Sequence, residues 1–204
     1  MRILKVFLAL FIGILILPAC QMLQPIKITP STSYTIATWP AKNVNPKKGI
    51  SNKTLLITMP TAAPGYQSSK MIYVMVPYQL KAFSDHRWVA PPADLLMPIM
   101  ANKLRTAGYF KAVVTSPFSG TATYQLNTQL LTLQQEFLKP ESCVRVRIEF
   151  TLVSVATGEV IANRVFEATV WAPENNPYSG VLAANVAINQ VLDQMTTFVV
   201  KHAQ

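Results

Sequence analysis

Charge is scarce in this 204-residue chain, and acid is scarcest. Nine Asp and Glu residues face 18 Lys and Arg, for a formal net charge of +9. Histidine is nearly absent, with His86 and His202 alone, and the cysteines are Cys20 and Cys143. Two cysteines cannot build a zinc site of familiar spacing. No H-E-x-x-H, P-loop, G-x-G-x-x-G or G-x-S-x-G motif occurs, which removes the common signatures of zinc proteases, nucleotide binders and α/β-hydrolases. Carboxylates that could work as an acid–base pair are missing too. Glu136 and Glu141 flank an expected strand end, an ordinary solvated place for charge. The chain has no internal repeat and no low-complexity block. These absences predict no catalytic residue, no metal and no cofactor. Half of the residues are apolar, so a sizeable core is available.

The N-terminus is rich where the rest is poor. Arg2 and Lys5 make a basic head, and residues 6–17 are apolar apart from Gly13. That run is too short to span a bilayer, which takes roughly 20 apolar residues. A basic head and a short apolar core before a small-residue cut mark a secretory signal peptide. The cut region, "LPACQ", resembles the lipobox of bacterial lipoproteins, with Pro18 a less common occupant of its slot. The resemblance implies residues 1–19 as signal peptide and Cys20 as the acylated first residue of the mature chain. More than one acyl chain makes such an anchor stable. By the same resemblance, Gln21 rather than Asp after the cysteine implies sorting to the outer membrane, with the domain on its periplasmic face. Acylated Cys20 leaves Cys143 unpaired within the chain, buried or able to pair between chains. A basic surface in that compartment predicts anionic lipid or an acidic protein as partner, not nucleic acid. Residues 20–33 read as the lipidated cysteine and a tether, reaching at most about 45 Å at 3.5 Å per residue.

The domain is expected over residues 34–204. Strand-like runs occur at 34–39, 54–59, 71–76 and 78–83, the last two split by Pro77 into a hairpin or one bent strand. Between Pro92 and Ala107, Leu96, Ile99, Met100 and Leu104 recur at helical steps, and Gly108 closes the pattern. Pro98 predicts either a kink or a helix that begins there. Strand returns at 109–114. In residues 123–138 the apolar positions change face, which predicts a bulge near Leu130. Residues 143–155 alternate cleanly, with Val144, Val146, Ile148, Phe150 and Leu152 on one face. The turn "ATGE" leads into a strand at 160–171. Residues 179–201 read as a helix, with Ser179 as N-cap and Val181, Ala184, Ile188, Val191, Met195 and Phe198 in one stripe. The expected fold is a single layered α/β (α+β) domain, a mixed or antiparallel sheet packed with two main helices.

One stretch imitates an active site. In "FSDHRWVAPPADLL" (83–96), Ser84, Asp85 and His86 stand in a row. Neighbours on an extended chain point to opposite faces, so the three cannot converge as a triad must. The reading preferred is a polar junction before the helix, anchored by Trp88. Trp39, Trp88 and Trp171 are expected in the core or at an interface. Arg145 and Arg147 share a strand face and could grip a phosphate or a partner's carboxylates, although such a face is more often simply exposed.

Tyr34, "HRWVAPPADLL" (86–96), "LRTAGYFKAVV" (104–114), "YQLNTQLLTLQQEF" (124–137) and "RVFEATVWAPENNPYSGVLAANVAINQVL" (164–192) occur in an order that resembles the ABC-type transport auxiliary lipoproteins. These include the PqiC-type lipoprotein partners of MCE-domain lipid transporters. The resemblance implies a periplasmic, outer-membrane-tethered domain, often a homo-oligomer, that serves as a non-enzymatic auxiliary component. Its implied partner is an MCE-domain protein driven by an inner-membrane ABC ATPase. The same anchor and fold would also suit an assembly lipoprotein of an outer-membrane secretion or export machine.

Overall fold

The structure, a computed structural model, describes residues 30–37 and 50–204. The expected signal peptide, Cys20, most of the expected tether and Trp39 lie outside the described residues. Among the described residues, nine strands and two helices follow in the order β1 (Thr32–Tyr34), β2 (Thr54–Ile57), β3 (Thr61–Ala62), β4 (Lys70–Val74), β5 (Lys81–Trp88), α1 (Pro92–Ala107), β6 (Ala112–Thr115), β7 (Tyr124–Glu136), β8 (Cys143–Ser154), β9 (Val160–Trp171) and α2 (Pro177–His202).

β7 is the spine of a mixed sheet. Along one edge it pairs in succession with β2, β3 and β4, all parallel to it. Its other edge takes β8, and β9 follows, both antiparallel to their neighbours. β6 extends the sheet beyond β2, and β5 and β1 extend it beyond β4. The expected bulge is present: the β7–β8 register shifts between Leu130 and Thr132. The extra residue returns Leu133 to the face that already carries Leu126 and Leu130, and all three are buried. The five apolar residues of β8 are each at most 2% exposed, because α2 packs directly on that face.

α1 runs unbroken from Pro92, its first helical residue, through Pro98. Gly108 ends it in the left-handed conformation at φ 66°, donating its N–H to the Arg105 carbonyl. α2 begins two residues before the expected start. Asn176 is its N-cap, accepting from the Ser179 N–H at 2.8 Å, so Ser179 is not the cap but the residue capped. Pro177 fills the first helical position, where its missing N–H costs nothing. The full expected stripe of α2 is buried.

Four placements differ from the sequence reading. β1 takes Thr32 and Ser33, which the composition assigns to the tether, and stops at Tyr34. β5 is shifted towards the helix, so Ser84, Asp85, His86 and Arg87 lie in a strand rather than in a junction. The cause is the β4–β5 turn, which consumes residues 75–80. β6 starts at Ala112, because Phe110 is buried in the core and the Tyr109 hydroxyl donates to the Ala203 carbonyl at 2.9 Å. The two-residue β3 carries no periodicity to read.

Candidate functional site

The Ser-Asp-His run does not converge. The Ser84 hydroxyl donates to Asp85 Oδ1 at 3.3 Å, not to histidine. Asp85 Oδ1 lies 3.7 Å from His86 Nε2, beyond hydrogen-bond length. His86 instead stacks on Tyr34 of the neighbouring strand, with ring centroids 5.8 Å apart, and meets the Phe83 ring edge-on. Its Nδ1 is 3.3 Å from the Tyr34 hydroxyl. This is an aromatic clasp holding β1 to β5. Trp88 ends β5 inside the core, 4% exposed, beside Met71, Leu133 and the small residues Gly180 and Ala184 of α2.

The face of β7, β8 and β9 that turns away from the helices carries the charge. Arg145 reaches both ways across it. Its Nε donates to Glu136 Oε1 at 2.9 Å, and its Nη1 to Glu167 Oε1 at 2.5 Å. Arg147 Nε meets the second oxygen of Glu167 at 3.2 Å. Glu136, buried, also accepts from Gln134 Nε2 at 2.8 Å. The Glu136 hydrogen bond, with Glu167 alongside, pushes the Arg145 guanidinium above its ordinary value. Two arginines therefore meet two glutamates of their own chain, and neither guanidinium is left as an open anion clamp. A shallow groove of about 440 Å³ runs over this ladder from Tyr66 and Tyr78 to Glu167. Cys143, opposite Glu136 across the β7–β8 pair, is buried and unpaired among the described residues, its thiol pushed up by burial and then by Glu136.

A second groove, about 760 Å³, lies along α2, where Tyr178, Leu182 and Val186 are exposed one turn apart. Asn185 borders it and ties β1's continuation to the helix, accepting from the Ala37 N–H at 2.8 Å. Among the described residues no cluster of three or more metal-ligating side chains occurs, and no helix is long and apolar enough to cross a membrane.

Sequence reasoning passed over one feature, the turn between β4 and β5. Met75, Val76, Tyr78 and Leu80 are all exposed there, Tyr78 fully. The signal was available: "MVPYQL" (75–80) is a turn with no charge and one polar side chain.

The fold is shared with solved proteins of low sequence identity. Protein XCC0632 from Xanthomonas campestris superposes with a TM-score of 0.71 at 17% identity, over 86% of this chain and 95% of that one. The hypothetical protein CT253 from Chlamydia trachomatis gives 0.51 at 6% identity, over 74% and 98%. The PelC dodecamer from Paraburkholderia phytofirmans, in a single-substitution variant, gives 0.43 at 17% identity, over 82% and 93%, a likeness too loose to argue from. No curated protein sequence matches the chain. The model of the ABC-type transport auxiliary lipoprotein component family matches residues 34–196, which takes in the aromatic clasp, the spine strand, the charged ladder and most of α2. The chain belongs to that family.

Proposed function

We propose that this protein is a non-enzymatic lipoprotein, anchored through Cys20 to the periplasmic face of the outer membrane, that assists an MCE-domain ABC system in moving lipid between the membranes. The observation that carries this reading is the family match starting at Tyr34, behind a lipobox cysteine at Cys20. The charged ladder supports a structural rather than a catalytic role for Arg145 and Arg147, since both are neutralised within the chain. An auxiliary component needs an anchor, a rigid domain and contact surfaces. The buried core and the exposed grooves supply the last two.

The test has two parts. Mass spectrometry of the mature protein is expected to find acyl chains on Cys20, and membrane fractionation is expected to place it in the outer membrane. Purification in mild detergent is then expected to recover an MCE-domain protein. Recovery of outer-membrane secretion components in its place would move the protein to an export machine. Cys20 without lipid would end the anchor reading.

A further inference from the structure

The β4–β5 hairpin ends in a turn that is costly to display. Gln79 donates its N–H to the Val76 carbonyl at 3.1 Å, with Pro77 and Tyr78 as the central residues. Tyr78 has φ 68°, the only described non-glycine residue at positive φ. This is the second central slot of a type II turn, which glycine normally takes. A tyrosine there is strained, and this one touches so little that its side chain is fully exposed. Strain that gains no internal contact points to a role outside the fold. Around it Met75, Val76 and Leu80 are exposed, so the tip is a convex apolar knob.

Two further features stand at the same end of the sheet. β7 runs parallel to β4, so the loop after β7 lies beside the hairpin, and its Leu138 is exposed next to Tyr78. β9 ends there with half-exposed Trp171, whose ring lies under the Lys139 ammonium at 5.5 Å. Tyrosine, tryptophan and lysine beside exposed aliphatic side chains are the residue types that settle at a membrane–water boundary. β1 runs parallel to β5, so its N-terminal end points to the hairpin side, although Thr32 itself pairs with His86 in the far half of β5.

We propose that residues 75–80 form a lipid-docking tip, which sets Val76, Tyr78 and Leu80 into the head-group boundary of the bilayer that holds the Cys20 anchor. This rests on the anchored-lipoprotein reading above. The Tyr78 ring would lie among acyl chains with its hydroxyl at the head groups. No residue of the tip itself, 75–80, is charged, so apolar contact rather than charge holds it. Docking therefore needs no anionic lipid and survives raised salt.

The experiment uses the intact mature lipoprotein in phosphatidylcholine vesicles. An environment-sensitive fluorophore is attached through Gln79→Cys, and in a control protein through Val155→Cys at the far end of β8. Cys143 is buried and escapes labelling. Doxyl-labelled lipid is expected to quench the label at position 79 severalfold more than the label at 155. That difference should persist in high salt and fall sharply when Val76→Asp and Tyr78→Asp are added. Equal, weak quenching at both positions in acylated protein overturns the proposal. So does a label at 79 that is shielded only when an MCE-domain protein is added, because the tip would then dock on protein. If mass spectrometry finds Cys20 without lipid, the comparison is repeated with Cys20→Ser so that the introduced thiol alone is labelled: quenching at 79 keeps the tip and removes the anchor, and no quenching removes both.

Discussion

Single residues decide how closely α2 can approach the sheet. Gly180 faces Gln135 of β7, whose side-chain N–H groups donate to Ser142 Oγ at 2.9 Å and the Asn176 carbonyl at 3.2 Å. A Cβ on Gly180 would stand 2.2 Å from Gln135 Oε1 and 2.7 Å from its Cδ. Alanine is better than glycine inside a helix by about 1 kcal/mol, so propensity alone favours Gly180→Ala. Overpacking costs about 1–3 kcal/mol and should win. Denaturant titration is expected to show Gly180→Ala destabilised. In a Gln135→Ala background the same change should be neutral or stabilising, because the clash is gone. Equal losses in both backgrounds would place the cost elsewhere. Cys143 gives a pH signature at the same scale. Burial raises its folded-state pKa above the ordinary thiol value of 9.0. An acid that ionises later in the folded state favours folding less as pH rises, since the unfolded thiol loses its proton first. Cys143→Ala should flatten the fall in stability above about pH 9. Parallel pH profiles for both proteins would contradict the assignment.

The elements show what periodicity can and cannot reveal. α1, β8 and the stripe of α2 were legible because each buries one face, and burial writes its period into the sequence, whereas β9 was legible from the turn that precedes it. The β7 bulge was legible for the same reason, as a change of face at Leu130. β1 and β3 were not, because three and two residues hold no period. The α2 start was misread because the capping oxygen sits before Pro177, and Ser179 had the right chemistry two positions late. Composition said nothing about Tyr78, since a turn slot that normally selects glycine was filled by a residue that sterics disfavour. The ladder on the outer sheet face belongs to three strands and was invisible to any one of them. Arg145 could be placed on a face from sequence, but its partners Glu136 and Glu167 come from the strands on either side. Removing it should leave buried Glu136 with Gln134 as its remaining side-chain donor. Arg145→Met is therefore expected to cost about 1–3 kcal/mol, the penalty for stranding a buried acceptor. Arg147→Met, whose single partner Glu167 is half exposed, should cost less than about 1 kcal/mol. Urea unfolding of the two variants side by side reads the difference, and an equal effect would show that Glu136 does not depend on Arg145.

At the scale of the whole molecule, the sheet is asymmetric in a way that hydrogen exchange can read. β7 is paired along both edges, by β2, β3 and β4 on one side and β8 on the other. β9 is nearly as long but, among the described residues, pairs with β8 alone. Its other edge is left unpaired by the described residues, with Val160, Ile161 and Val165 exposed along the strand. A long edge strand of this kind is a template for another strand unless something covers it. In a monomer, β7 amides should exchange only through the largest openings. The N–H groups of β9 that point away from β8 should exchange much faster. The measurement is hydrogen exchange of the purified protein followed by mass spectrometry at low and high concentration. Fast exchange on β9 at every concentration means that the edge is free in this protein. Protection that appears as concentration rises would locate a self-association surface on β9, and would give the family's expected oligomer a strand-to-strand contact. The spine should be indifferent to concentration in either case, because both of its edges are satisfied inside one chain.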